Sequence, residues 1–113
     1  MARDKGFTKS KNPDGKRYKR DMARHLDGRA LKCVTERKDG VEEIVGKAGA
    51  IVLKGDELIV FSGGDILIRV NIYDLQAWEL MSLDGVVLTV PDAESEDGTR
   101  TVTAYYSYYR KLD

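Results

Sequence analysis

In 113 residues the chain has one cysteine, one histidine, one tryptophan and two prolines. A single thiol, Cys33, cannot form an intramolecular disulfide, and a reducing cytoplasm is the natural compartment. A closed zinc site needs three or four Cys or His ligands, and His25 and Cys33 are the whole supply, so no structural zinc and no other metal or cofactor is expected. The longest apolar runs are four or five residues, far short of the roughly 20 that a membrane-spanning helix requires. The charged N-terminus carries no apolar stretch of the signal-peptide kind. The glycines form neither a phosphate-cradling loop nor a dinucleotide fingerprint. An excess of one charge is also missing, since 19 Lys and Arg balance 19 Asp and Glu.

That balance is an average of two unlike parts. Residues 1–24 hold nine Lys and Arg against three Asp, whereas the remainder holds ten against sixteen Asp and Glu. A basic arm therefore precedes an acidic body, and such an arm fits nucleic acid, another anionic surface or the body itself. Residues 1–15 read as a flexible basic tail and 16–113 as one domain, large enough to bury about two-thirds of its unfolded surface.

What the chain does have is turn chemistry. Asp-Gly occurs at Asp14-Gly15, Asp27-Gly28, Asp39-Gly40, Asp84-Gly85 and Asp97-Gly98, and Gly63-Gly64 adds a sixth stop. Between apolar runs these pairs read as hairpins, because both residue types tolerate positive φ. The spacing predicts strands at Ala30–Arg37, Val41–Gly46, Ala48–Leu53, Glu57–Phe61, Ile66–Val70 and Val86–Val90, an acidic loop at 91–98 and a last strand from Thr99 to Tyr109. Gly46 or Gly49 marks a bulge or bend in one long strand. Ile72–Leu83 reads mainly as strand, although its AWELM segment is rich in helix formers. Before the strands, Tyr18, Met22 and Leu26 recur at i, i+4 and i+8, which predicts a short helix over Lys16–Leu26 with Gly28 as its left-handed C-terminal stop. The expected fold is all-β, a small antiparallel barrel or roll of six to eight strands led by that helix.

Alternation assigns faces. Ile66, Ile68 and Val70 are placed on one face, as are Val86, Leu88 and Val90. Glu57–Phe61 is apolar on both faces and reads as a covered, central strand.

From Gly28 to about Leu80 the chain resembles a small SH3-type or Sm-type barrel. The resemblance is carried by Gly28-Arg29-Ala30-Leu31-Lys32-Cys33 opening a strand, the Gly46-Lys47 bend, Leu58-Ile59-Val60 before Gly63-Gly64, and Asn71-Ile72-Tyr73-Asp74-Leu75 as the close. The RNA-site loops of the Sm pattern are absent. Arg20 and Arg24, spaced as RxxxR ahead of a barrel, look like the arginine motif of PilZ domains. The second motif of that family is missing, because Val60 and Asp65 stand around Ser62 where Asp or Asn and Gly would be needed.

No catalytic constellation emerges. A Cys33–His25 nucleophile pair would require contact and an activated thiolate, and Cys33 in a strand reads instead as a small packing residue. The carboxylates cluster at turns, where Asp serves the backbone. Two features point to binding. Lys16, Arg17, Lys19, Arg20 and Arg24 are placed to meet phosphates if the helix forms. Tyr106 and Tyr108, with Arg110 beyond them, form one face of the C-terminal Tyr-rich strand, opposite Tyr105 and Tyr109, and exposed tyrosines beside cations suit protein interfaces and base stacking alike. Trp78 reads as core. The sequence thus favours a non-catalytic cytoplasmic module that binds a protein partner or a second copy of itself, with RNA or DNA binding through the basic arm and the C-terminal tyrosines as the alternative.

Overall fold

The computed structural model describes residues 15–107. The expected tail, and Tyr108, Tyr109 and Arg110 of the tyrosine cluster, lie outside the described residues.

The helix forms where the apolar spacing places it, α1 at Lys16–Leu26, and it buries Tyr18, Met22, Ala23 and Leu26. Its N-terminus is poorly equipped. Gly15 offers no side-chain cap, no acidic residue occupies the first turn, and Lys16, Arg17 and Lys19 oppose the helix dipole there. Eleven residues with those defects would not persist alone in water. Docking supplies the missing stability, at about 1.5–3 kcal/mol for each fully buried Met or Leu side chain. The helix stops at Gly28, whose φ of +87° lies in the left-handed region. There Gly28 N–H donates to the Ile51 carbonyl at 2.8 Å and Asp27 Oδ1 accepts from Leu53 N–H at 2.9 Å, so the helix exit is tied to the sheet.

Eight strands follow: β1 Ala30–Lys38, β2 Val41–Gly46, β3 Gly49–Lys54, β4 Glu57–Ser62, β5 Asp65–Asn71, β6 Gln76–Glu79, β7 Gly85–Pro91 and β8 Thr99–Tyr106. All pairings are antiparallel, in the order β5-β4-β3-β1-β8-β7-β6, with β2 beside β1. The hairpins at Asp39-Gly40 and Gly63-Gly64 each have two consecutive positive φ angles, the geometry that matches strand twist.

β2 and β3 act as one long strand bent at Gly46–Gly49, so β1 meets β3 at Ala30 and Leu31 and β2 from Val34 to Lys38. The bend needs glycine for space: a Cβ on Gly49 would lie 1.8 Å from the Phe61 carbonyl oxygen. As the apolar pattern predicts, Leu58, Ile59 and Val60 of β4 are all buried.

Side chains of β1 to β8 that point to the inner face join α1 in one core, with Leu31, Val34, Ile51, Leu58, Val60, Ile68, Leu88 and Val102 among its members. The sheet is curled enough that β5 and the far ends of β7 and β8 line a common cavity. It is not closed, because no ladder joins β5 to β6 among the described residues.

Several local expectations change. Ile66 does not share a face with Ile68 and Val70. The register slips between Val60 and Phe61, so that Ile68 pairs with Val60 while Ile66 pairs with Phe61 and turns outward. Ile72–Leu83 is only partly strand. A 3₁₀ turn at Ile72–Asp74, capped by Asn71 Oδ1 accepting from Tyr73 N–H at 2.9 Å, precedes the four residues of β6. Asp84-Gly85 does not form the expected two-residue turn. The chain reverses over Leu80–Asp84, with Leu83 taking the positive φ, and Gly85 is already in β7. A Cβ there would come within 2.7 Å of the Ala104 carbonyl oxygen, so Gly85 serves close strand approach and not the reversal.

Candidate functional site

A bulge at Lys32 decides which β1 side chains face inward, and a second bulge, at Val45, lies on its partner β2. The ladder to β8 slips between Leu31 and Cys33, and the ladder to β2 slips between Val34 and Thr35. Leu31, Val34 and Glu36 therefore face the core, while Cys33 and Thr35 face out. Ala77 and Glu79 of β6, Val86, Leu88 and Val90 of β7, and Arg100, Val102, Ala104 and Tyr106 of β8 share the inner side. Two polar groups interrupt this otherwise apolar surface.

The first is at the C-terminal end of α1. Glu79 Oε2 accepts from the Tyr106 hydroxyl at 2.6 Å and lies 2.9 Å from His25 Nε2. An ionised carboxylate only accepts, so Nε2 carries the proton it shares with Glu79. Arg29 Nη2 approaches the same Nε2 at 3.4 Å. With both atoms bearing hydrogen, that approach is a contact and not a hydrogen bond. The Arg29 guanidinium instead stacks over the Tyr106 ring, 4.4 Å from its centroid, a cation–π geometry. Nearby, the Tyr18 hydroxyl donates to the Ala77 carbonyl at 3.1 Å. Burial, and then the Glu79 charge, pushes the Tyr18 hydroxyl above its ordinary value.

The second is Glu36 with Arg100. Arg100 Nε donates to both Glu36 oxygens at 3.2 Å and Nη2 donates to Oε1 at 3.1 Å. The Glu36 side chain is 10% exposed and that of Arg100 26%. The neighbouring acidic loop is braced from within. Ser95 Oγ donates to Asp97 Oδ1 at 3.0 Å, and this bond, followed by that from Thr99 N–H, holds the Asp97 carboxyl below the usual range.

The outer face is built differently. Ladder partners connect Trp78, Val87, Thr103, Thr35 and Ile44 into one row crossing five strands from β6 to β2. Thr89 and Thr101 hydrogen-bond at 2.9 Å in the next row. No charged side chain belongs to the first row, whereas the second continues on β1 and β2 as Arg37 and Glu42. Both ends of the first are open, Trp78 being 46% and Ile44 63% exposed. Met81, in the turn after β6, is fully exposed. Glu42 borders this face, accepting from Thr35 Oγ1 at 2.6 Å and from the Tyr105 hydroxyl at 3.4 Å.

The residues singled out from sequence are not gathered at one place. Lys16, Arg17, Arg20 and Arg24 are exposed on the side of α1 away from its buried stripe. Lys19 is turned toward the body, its Nζ donating to the Tyr73 carbonyl at 2.9 Å, and Arg20 Nη2 donates to the Tyr73 hydroxyl at 3.2 Å. Tyr106 is 2% exposed, so it is the core-facing tyrosine and Tyr105 the outward one. This parity continues the unbroken alternation of Val102 and Ala104 along β8, and the β1 bulge brings Leu31 inward to pair with Tyr106. Tyr108 and Arg110 lie outside the described residues.

Trp78 is corrected as well. It points outward because Ala77 and Glu79 take the inner positions of β6. Cys33 is half-buried on the outer side, opposite Tyr105, while His25 approaches from the inner side, and the two form no pair. The Glu36–Arg100 pair and the Trp78–Ile44 row were missed. Glu36 sits in an unbroken polar run, Thr35 to Lys38, which carries no apolar alternation of its own to mark the inner side. The inward signal for Glu79 was available in the Leu75-x-Ala77 alternation.

Among the described residues, no helix is long and apolar enough to cross a membrane, and no group of three or more His, Cys, Asp and Glu side chains is placed to hold a metal ion. No family model, curated protein or solved structure matches this chain.

Proposed function

We propose that the protein is a non-catalytic binding module that docks a protein surface on the outer face of β6-β7-β8-β1-β2, with a second copy of the chain as the first occupant to consider. The observation that carries this reading is the uncharged row from Trp78 to Ile44 with exposed apolar groups at both ends. Charge depletion with aromatic anchors is what separates interface cores from ordinary surface. The row also has a form suited to twofold packing. An axis parallel to the strands sets Trp78 of one copy over Ile44 of the other and the reverse, the reciprocal contact of an isologous interface. The finer reading of the fold, a small barrel of SH3 or Sm type over residues 28–80 in a cytoplasmic protein, belongs to the same proposal. It is supported by the consecutive hairpins and the glycine bend of β1 to β5. Light scattering over a concentration range provides the test. The wild type is expected to rise toward dimer mass while a Trp78→Lys, Ile44→Lys double variant stays monomeric. Equal masses at all concentrations overturn the self-associating form.

A second reading is favoured by the start of α1. Lys16 and Arg17 each cost the helix about 0.3–1 kcal/mol by opposing its dipole, and with Arg20 and Arg24 they make an outward cationic stripe. Local rules broken without a structural gain mark functional positions, and the ligand class here is nucleic-acid phosphate. Titration of single-stranded RNA and duplex DNA with wild type and an Arg17→Gln, Arg24→Gln variant decides it. Removing two phosphate contacts lowers the salt slope by about 1.4–1.8. Indistinguishable slopes, or no binding at low salt, defeat this reading.

A further inference from the structure

The cavity at the far ends of β7 and β8 has a volume of about 560 Å³, within the range of about 300–1,000 Å³ typical of small-molecule sites. It lies four residues along β7 from Val86, the ladder partner of Glu79, and so is separate from the cluster at α1. Its apolar wall is Ile68, Val70 and Val90. Its polar wall holds the Glu36–Arg100 pair.

That pair has no evident structural purpose. The adjoining inner row is Ala77, Leu88 and Val102, and an aliphatic pair at 36 and 100 would extend it. Burying two charges seldom stabilises a fold relative to such a replacement. Arg100 also keeps donors in reserve, since Nε and Nη2 serve Glu36 and Nη1 meets no acceptor among the described residues. Lys38 lines the same cavity, and its ammonium likewise has no partner there. On the loop after β7, the Glu94 carboxylate also has none, and Asp92 accepts only the Glu94 N–H at 3.1 Å. Spare cationic donors on β1 and β8 thus stand with spare carboxylates on the loop. A simple anion is repelled by Asp92 and Glu94, and a simple cation by Lys38 and Arg100.

We infer that this cavity binds a small zwitterion of short-peptide size, its carboxylate on Arg100 and Lys38, its ammonium on Asp92 and Glu94, and an aliphatic side chain against Ile68, Val70 and Val90. Leucyl-leucine is the probe, together with its N-acetyl, C-amide and doubly blocked forms, each titrated into the full chain by calorimetry or by following methyl resonances. The free dipeptide binds saturably. Blocking either terminus weakens it about two- to fivefold, the worth of an exposed ion pair. Lys38→Gln weakens the free dipeptide by a similar factor but leaves the C-amide unchanged, and Glu94→Gln does the same with respect to the N-acetyl form. Both side chains are exposed, so both variants retain the fold, which circular dichroism verifies. Absence of saturable binding to wild type, equal affinity for all four probes, or variants that fail to discriminate between them overturns the assignment.

Discussion

The Glu79 carboxylate oxygen that accepts the Tyr106 hydroxyl at 2.6 Å also meets His25 Nε2 at 2.9 Å, so one atom of β6 fastens both β8 and the end of α1. Tyr106→Phe removes one of these bonds to a charged acceptor that is 11% exposed. The expected loss is about 1–3 kcal/mol of unfolding free energy in urea titrations. Combined with Glu79→Gln, the two losses are expected to fall short of additivity by about 0.5 kcal/mol or more, the mark of groups in direct contact. Strict additivity would show that the two side chains do not act together.

Tyr18 gives the fold an alkaline limit. Its folded pKa is raised above the ordinary value of 10.0, so the folded state retains a proton that the unfolded chain releases. This contribution is complete below about pH 10 and is lost as pH rises through the folded pKa. Unfolding free energy is expected to fall more steeply above that pH in wild type than in Tyr18→Phe, although the variant starts lower for want of the bond to Ala77. Parallel curves would contradict the argument.

Two glycines with different duties predict two different penalties. Gly40→Ala forces a left-handed φ on an exposed turn residue and costs about 1–2 kcal/mol. Gly49→Ala drives a Cβ into the Phe61 carbonyl, which no rotamer change relieves, and the cost exceeds that of Gly40→Ala by a kilocalorie or more, on the scale of about 1–3 kcal/mol for overpacking. Thermal melts of the two variants rank them. The reverse order would mean that the bend at Gly46–Gly49 adjusts freely.

Trp78 is the sole tryptophan and so reports its own surroundings. Half-exposed on the outer face, it is expected to emit close to the wavelength of free indole and to be quenched readily by acrylamide. Both properties should diminish with rising protein concentration if copies pair through this face. A blue-shifted, unquenchable signal at high dilution would return Trp78 to the core.

The amino-acid sequence by itself determined the elements whose signals are local. The 3.6-residue recurrence of Tyr18, Met22 and Leu26 with a glycine stop defines α1, and residue pairs that accept positive φ define the hairpins at Asp39-Gly40 and Gly63-Gly64. It also disclosed the bend at Gly46–Gly49 and the burial of β4 on both faces. Tertiary structure alone decided which way side chains point after each bulge. One extra residue at Lys32, Val45 or Leu67 reverses the alternation beyond it, and the slip depends on a ladder partner distant in sequence. This is why Ile66 turned outward and Leu31 joined Val34 and Glu36 on the inner face. Tyr106 and Trp78 instead follow the unbroken alternation of β8 and β6, whose inner side the packed core decides, and Glu36 met Arg100 across 64 residues. The same dependence explains Gly85, chosen for the approach of β8 and not for a turn. Local chemistry fixes where the chain reverses, but only the partner strand fixes the face a residue presents, and on that face every candidate site of this protein rests.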